Sequence, residues 1–474
     1  MRVAAGADRV GESGPYARHR LAGAFAPDLF PVPPRFRVRV RKLSLARLLL
    51  RELVEYRGKL GVVSSRPCMY GVFSGPLGGF APREQLCVGC LRCTVEYPDV
   101  VQIHPNPERE RTGGSLLPPD DVDALHYEAR TGRVPVRGAG YRGPFGGEGW
   151  DGLWTDMSEI VRPTRDGIHS RETIATDVDI GEFPSWLRFD AAGEPLGPIP
   201  RFLTIQVPFL FDLPPSSVGS PDLFRVLADA ARRIGTLALV PAQWATEPAL
   251  RGPHVVPVLS RFRGAAPDDL GFAPRMLEID GWDRTRFSEV MQRFPTSLIA
   301  VRVSAGADIL GIVRDGARIL HLVADYHGRA GGRFMGDASR SAHGQLVEAG
   351  VREEVTLIGS GGLVRPEHLA KAILCGIDAG ALDVPPWVAL QGRFGAECRD
   401  RETCRVELPR LDPGWAAQRL VNLAASWRDQ LLEVLGAMGL REVRRLRGEL
   451  GRALFQLELE REAFSGIRGY APRA

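Results

Sequence analysis

The stretch that decides the fold is Ser297-Leu-Ile-Ala-Val-Arg-Val-Ser-Ala-Gly-Ala-Asp-Ile-Leu-Gly-Ile-Val-Arg-Asp-Gly-Ala-Arg-Ile-Leu-His-Leu-Val-Ala-Asp325. It holds two short apolar runs, Ser297–Val303 and Ile319–Asp325, joined by a helix-length amphipathic piece, Asp308–Asp315. Nearly continuous apolar runs fit strands covered on both faces, and a helix between two of them is the crossover of a parallel sheet. Working outward, the same unit recurs. Strands are expected at Leu203–Phe211, Thr236–Pro241, Val255–Ser260, Arg275–Asp280, Ser297–Val303, Ile319–Asp325, Val355–Gly359 and Ala379–Asp383. Helices are expected at Pro221–Ile234, Asp283–Arg293, Asp308–Asp315, Ala338–Ala349 and Pro366–Cys375, two of them opening on a first-turn proline. Eight alternating units predict an α/β chain built on a (β/α)8 TIM barrel, with a doubly wound open sheet as the alternative.

Around this barrel, residues 201–411, the chain divides by composition. Residues 1–34 mix Gly, Pro, Ala and Arg without a period and read as a mobile tail. Residues 35–137 carry a cysteine-rich segment behind an amphipathic helix near Leu43–Tyr56. Residues 138–200 form a glycine-rich linker and barrel entry. Residues 412–474 begin with the N-cap and first-turn proline of Asp412-Pro413 and continue as a helical extension to about Phe464, broken at Gly436 and Gly439. The linker holds a literal G-x-G-x-x-G at Gly138–Gly143, but no buried strand precedes it and Pro144, Gly146 and Gly147 forbid a helix behind it, so a dinucleotide site is rejected.

Composition narrows the function. At 44% hydrophobic and 25% charged residues with a net charge of +4, the 474-residue chain reads as globular and shows no basic stripe for nucleic acid. Its only lysines are Lys42, Lys59 and Lys371, which leaves few places for lysine chemistry. Seven cysteines grouped at ligand spacing, without an apolar leader or a membrane-length apolar run, predict a reducing, cytoplasmic setting and no membrane partner.

The cysteines point to electron transfer. Cys87-Val-Gly-Cys90-Leu-Arg-Cys93 repeats the C-x2-C-x2-C spacing of an iron–sulfur loop, with Tyr97-Pro98 where such a loop ends Cys-Pro. Loss of that last cysteine predicts a single [4Fe–4S] cluster on Cys87, Cys90, Cys93 and Cys68, the one other cysteine in the N-terminal half. A four-cysteine zinc site is the competing reading.

In a barrel of this kind the site lies at the C-terminal ends of the strands, with phosphate held after the seventh and eighth. Ser360-Gly361-Gly362 and Gly380 stand there, so phosphate binding is expected, with FMN the leading ligand; tight turns alone are the alternative. After the sixth strand come Asp325-Tyr326-His327-Gly328-Arg329-Ala330-Gly331-Gly332. On a continuing strand Asp325 and His327 would share a face, where either could orient a cofactor ring or move a proton. Arg302 puts a cation inside an apolar strand, which demands a partner. It either stabilises a reduced flavin's negative charge or pairs with an interior carboxylate such as Asp280.

These residues resemble the FMN-binding domain of the glutamate synthases, in the short form with a ferredoxin-like segment before the barrel. The resemblance rests on Asp156–His169, Asp325–Gly332, Ser360-Gly361-Gly362 and Glu449-Leu450-Gly451-Arg452. It implies reduction of an imine at FMN, electrons arriving from a ferredoxin or reductase subunit through iron–sulfur clusters, and a small-molecule substrate. It sets Arg302 where the family has a lysine near the flavin. It also implies departures. The family's Thr-Gly-Glu-Gly-Gly stretch after the second strand is replaced by Val240–Pro248, and its C-x5-C-x4-C cluster keeps only Cys398 and Cys404, with Pro409 in the third place. A methylamine–glutamate N-methyltransferase-like subunit and a non-catalytic scaffold are the alternative readings.

Overall fold

The computed structural model describes residues 21–59, 68–109, 112, 114, 116–136, 138, 146–156, 174–184, 187–196, 201–260, 270–395 and 397–470. Residues 139–145, in the G-x-G-x-x-G run, and 157–173, which include most of the Asp156–His169 stretch, lie outside them.

Eight parallel strands close on themselves. They are β1 (Phe209–Phe211), β2 (Ala238–Pro241), β3 (Val255–Leu259), β4 (Met276–Asp280), β5 (Leu298–Ser304), β6 (Ile319–Val323), β7 (Thr356–Ser360) and β8 (Ala379–Leu382). Each pairs with the next, and β8 returns to β1. Closure removes every sheet edge. Helices Pro221–Ile234, Arg284–Arg293, Ile309–Arg314, Met335–Glu348 and Pro366–Leu374 follow the strands on the outside. Ser220, Asp283 and Asp308 cap three of them by accepting a backbone N–H two or three residues into the helix. After β2 the chain makes only a four-residue helix, Ala242–Ala245.

The first expected strand splits in two. Arg201–Ile205 leaves the barrel to pair antiparallel with Val178–Glu182, and only Phe209–Phe211 joins the sheet. Pro208 lies between them, without an N–H to donate and restricting the residue before it. The hairpin closes the lower end of the barrel, where the Gly181 N–H donates to Thr356 Oγ1 at 3.1 Å and that hydroxyl donates to Gly181 O at 3.0 Å.

The long helix Pro413–Ala437, capped by Asp412, crosses the outer layer and packs on Pro221–Ile234, Pro366–Leu374 and an earlier helix, Pro119–Thr131. That earlier helix, grouped by sequence with the cysteine segment, shares the barrel's core through Leu125 and Ala129. Part of the expected mobile tail is packed as well. Ala26 is buried with its N–H on Arg130 O, and Asp28 accepts from Arg419 and Arg130 at 2.8 and 2.6 Å. A fully buried arginine on the long helix needs a carboxylate, and residues 21–34 bring one.

The cysteine segment has a core of its own. Phe36–Val40 pairs antiparallel with Val101–Pro105, helix Lys42–Glu55 lies alongside, and Phe36, Val38, Val72, Cys87, Val100 and Val101 make a small buried cluster. No helix among the described residues is long and apolar enough to cross a membrane.

Candidate functional site at the barrel mouth

Strand register fixes which side chains enter the barrel. In the parallel ladders Asp280 stands beside Arg302, Arg302 beside His321, and His321 beside Ile358. With a period of two, Glu278 and Ser360 fall on the same inner face, and across the β8–β1 seam so do Asp383 and Asp212. Where a barrel interior is ordinarily branched aliphatic, this one is charged at its C-terminal end.

The charges satisfy one another. The Arg302 guanidinium donates to both oxygens of Asp212, at 2.6 and 3.0 Å, and to Glu278 Oε1 at 3.3 Å. His321 Nδ1 lies 2.8 Å from Glu278 Oε2, and its Nε2 lies 3.2 Å from Ser360 Oγ. Glu278 can only accept when ionised, which places a proton on Nδ1. Burial opposes the charge on Asp212, but Arg302 and His321 outweigh it and hold the carboxyl well below the ordinary range. Burial likewise opposes the charge on Arg302, and Asp212 with Glu278 overcomes it and raises the guanidinium further. Asp383 has no such partner. Burial, and then the charge of Asp212, push it up to about 8.

Arg302 is therefore ion-paired, to Asp212 and Glu278; Asp280, the example of an interior carboxylate taken from sequence, acts on it only at longer range. Asp280 sits higher on β4 and is partly exposed, whereas Glu278 lies one inward position deeper and is fully buried.

The expectation for Asp325 and His327 assumed a continuing strand, but β6 ends at Val323 and the chain turns. Asp325 Oδ1 accepts the N–H groups of His327 and Arg329 at 3.0 and 2.8 Å, and Oδ2 faces Arg399 at 3.4 Å, so this carboxylate shapes the loop. His327 is exposed. Gly331 and Gly332, both at positive φ, make the two-residue turn between Arg329–Ala330 and Arg333–Phe334. Gly328 donates to Asp325 O at 2.8 Å. Gly361 and Gly362 pack this loop onto the end of β7: a Cβ on Gly361 would come within 2.6 Å of Ala324 Cβ, and one on Gly362 within 3.0 Å of Gly328 N. Gly380 turns away from the mouth, its α-carbon against Leu369 and Leu363 in the outer layer, because its neighbours Ala379 and Ala381 take the inner face.

The corner after β8 is unlike a phosphate cradle. A helix start binds phosphate with free N–H groups. Here the short helix Pro385–Ala389 opens on two prolines, and the N–H of Val384 is taken by Asp383 Oδ1 at 2.8 Å.

After β2, Glu247 reaches outward to Arg225 at 2.8 Å, away from the barrel axis. The mouth is covered instead by the loop Cys398–Cys404, whose two cysteines are disulfide-bonded. Its backbone binds the loops after β6 and β1 together: Tyr326 N–H donates to Arg399 O at 2.8 Å and Ser216 N–H to Arg401 O at 3.0 Å.

In the N-terminal lobe Cys68, Cys87, Cys90 and Cys93 are all free thiols, and three of them join its apolar cluster. Burial raises Cys87 and Cys93, the latter to about 11, and each is raised further by the charges of the other three or of two of them. The four therefore share one pocket. Gly89, at positive φ, turns the loop so that its N–H reaches Cys87. Among the described residues no group of three or more His, Cys, Asp or Glu side chains stands ready to hold a metal ion.

Residues 334–441 match the family model described as a conserved region in glutamate synthase. The chain is 24% identical to an archaeal-type glutamate synthase [NADPH] of Dehalococcoides mccartyi, over 77% of this chain and 86% of that one. It is 23% identical to the archaeal glutamate synthase [NADPH] of Archaeoglobus fulgidus, over 81% and 90%. A third relative, from Methanocaldococcus jannaschii, is 36% identical across 23% of this chain and 22% of its own. The chain is similar to the glutamate synthases. The residues matched by the family model take in β7, β8, the disulfide loop and the long helix, while Asp212, Glu278, Arg302 and His321 lie before them.

Sequence reading singled out Arg302 and Ser360 but missed Asp212, Glu278, His321 and Asp383. A signal was present: Glu278 in Met-Leu-Glu-Ile-Asp and His321 in Ile-Leu-His-Leu-Val interrupt apolar strands at the same inward parity as Arg302.

Proposed function

We propose that this chain is an oxidoreductase of the glutamate synthase-related kind that reduces a C=N bond in amino-acid nitrogen metabolism, with FMN at the barrel mouth and one [4Fe–4S] cluster as its redox groups. The observation that carries this reading is the buried chain Asp212–Arg302–Glu278–His321–Ser360 at the end of the barrel where such sites lie. A histidine between a carboxylate and a hydroxyl can pass a proton, and an arginine fixed by two carboxylates keeps that histidine in one orientation. Ser360, at the top of this chain, would deliver the proton to a reduced nitrogen.

FMN, when bound, would supply the hydride. The corner after β8 does not fit its phosphate, because Pro385 and Pro386 have no N–H and Val384 has given its own to Asp383. The residues of this chain are therefore assigned proton handling alone. The cysteine pocket fits its group better. Four free thiols stand in one lobe, Cys87 and Cys93 each raised by the charges of others among them, and thiolates at this sequence spacing are the ligands such a cluster takes. Electrons would reach this lobe from a separate donor protein.

The non-catalytic reading is favoured by one observation, the proline-blocked corner. Anaerobic reconstitution with FMN, iron and sulfide separates the two. An absorbance spectrum with flavin and cluster bands, and nitrogen-dependent reoxidation of the reduced protein by a C=N substrate, is expected of the enzyme. A protein that retains no flavin and oxidises no donor is the scaffold. With 2-oxoglutarate, ammonia and reduced ferredoxin, glutamate formation is expected to fall well below the roughly 1 s⁻¹ at the low end of ordinary enzymes, because the outward-turned Glu247 leaves no acid in the place of the family's loop.

A further inference from the structure

The charged network stands at the open end of the barrel, yet its outermost groups are shut in: Ser360 is 1% exposed, and Asp212 and Asp383 are each 2% exposed. The Cys398–Cys404 loop roofs them. It is fastened to the loop after β6, where Arg399 O accepts from Tyr326 N–H at 2.8 Å and the Arg399 side chain faces Asp325 Oδ2 at 3.4 Å. It is fastened to the loop after β1, where Ser216 N–H donates to Arg401 O at 3.0 Å and Arg401 Nε donates to Pro214 O at 3.0 Å. The hydroxyls of Ser216 and Ser217 add donations to Glu402 Oε2 and Cys404 O at 2.9 and 3.2 Å. The order around the barrel is β6, β7, β8, β1. A loop held at both ends of that run passes over β7 and β8, the strands that lead to Ser360 and Asp383.

The roof is the tip of a hairpin. Arg393–Phe394 pairs antiparallel with Val406–Glu407 at its base, and Gly395 N–H donates to Arg405 O at 2.8 Å. Inside the tip Asp400 Oδ1 accepts the N–H groups of Glu402 and Thr403 at 3.1 and 2.9 Å, and the disulfide closes the ring. Arg399, Arg401, Glu402 and Cys404, the residues that tie the tip to the barrel, all lie within that ring, so one covalent bond holds these fastenings together. Without it the tip rests on a handful of hydrogen bonds and an ion pair through the exposed Arg399, each of them weak. The pair also differs in chemistry from the rest of the chain, whose other cysteines, Cys68, Cys87, Cys90, Cys93 and Cys375, are free thiols. One disulfide beside five thiols is the pattern of a redox-sensing bond rather than of a disulfide framework.

We propose that the Cys398–Cys404 disulfide is a redox latch: oxidised, it holds the roof shut over the network, and reduced by a dithiol it frees the tip to lift and admit a ligand to Ser360. Cys398 is the sulfur within reach, at 4% exposed against 0% for Cys404. A thiolate of the dithiol attacks Cys398, the S–S bond breaks and Cys404 leaves with the electron pair; the second thiol of the dithiol then displaces Cys398. The dithiol ends as a disulfide, oxidised by two electrons, and its two protons end on Cys398 and Cys404. The latch rests on the reading above only in taking Ser360 as the group a substrate must reach.

The test is amide hydrogen exchange followed by mass spectrometry on the full chain, without flavin or substrate, after oxidation with diamide and again after reduction with dithiothreitol. The amides of Tyr326 and Ser216, which donate to the loop, and those of residues 398–404 are expected to exchange about tenfold or more faster in the reduced protein, while those of β5 keep their rates. Reoxidation should restore the slow rates. The double variant Cys398→Ser with Cys404→Ser should exchange at the fast rate under both conditions, which separates the latch from any effect of the reagents on the other thiols. Equal rates in the two states, an increase spread evenly over all eight strands, or a peptide map without a Cys398–Cys404 cross-link after diamide would overturn the latch. Because no turnover or cofactor enters the measurement, failure of the oxidoreductase reading leaves the latch standing, and failure of the latch leaves that reading intact.

Discussion

The barrel and the N-terminal cysteine lobe solve the burial of polar groups in opposite ways. In the barrel, Arg302, Asp212, Glu278, His321 and Ser360 are enclosed by eight closed strands and satisfy one another. In the lobe, four free thiols lie at or beside a core of six buried side chains, one of them Cys87, and one two-stranded sheet. A large core can enclose its own counter-charges, whereas a lobe this small ordinarily needs a metal or a covalent staple to stay folded. The difference teaches that the two regions should respond to different insults.

The comparison breaks hardest at Arg302. Replacing it with Met leaves Asp212 and Glu278 buried without their cation, and breaking a buried pair this way costs about 3–5 kcal/mol. Denaturant unfolding followed by tryptophan fluorescence should show the loss in the barrel transition while the lobe keeps its resistance to limited proteolysis. An unchanged midpoint would mean that the network adds nothing to stability.

The converse experiment is metal removal. Cys90→Ala, or chelation of the reconstituted protein, is expected to abolish iron binding and open residues 36–105 to limited proteolysis, with the barrel's thermal midpoint unmoved. One zinc and no acid-labile sulfide in the purified protein would replace the cluster with a zinc site. Equal protease resistance with and without metal would show that the lobe's apolar core suffices.

Gly361 and Gly332 sharpen the contrast within the mouth. Alanine at Gly361, where φ is +121° and a Cβ meets Ala324 and Asp325, should cost about 1–3 kcal/mol by separating the loops after β6 and β7. At Gly332, where φ is +82° but nothing lies within 4 Å, only the backbone preference is lost, about 1 kcal/mol. Thermal melts of the two variants should preserve that order.

The same corner also sets a pH slope. Asp383 binds its proton more tightly folded than unfolded, so its contribution is fully present below the unfolded carboxylate range and is lost as pH rises through about 8. Asp212, held low, works the other way, and its contribution disappears as pH falls below that range. Asp383→Asn should therefore raise the midpoint at pH 8 more than at pH 5. A parallel shift at both would place Asp383 outside the titration.

Sequence reading reached the barrel because period and length are local properties. Apolar runs such as Leu298–Val303 and Ile319–Val323, separated by capped amphipathic helices, have few other ways to cover both faces. It erred where a local break decided the outcome, at Pro208, which turned one expected strand into a hairpin and a barrel strand. It also treated residues 21–34 as free, because the need they meet, a carboxylate for Arg419, arises nearly 400 residues later.

By itself the sequence determined the strand order, the inward parity of Arg302 and the grouping of three cysteines in one turn, all consequences of spacing along the chain. Only tertiary structure decided that Arg302 meets Asp212 and Glu278 rather than Asp280, that Gly380 faces outward, and that Asp383 stands beside Asp212. The physical reason is closure. Which inward side chains meet is set by how β8 joins β1 and how far each strand is staggered, and that geometry exists only once all eight strands are in place.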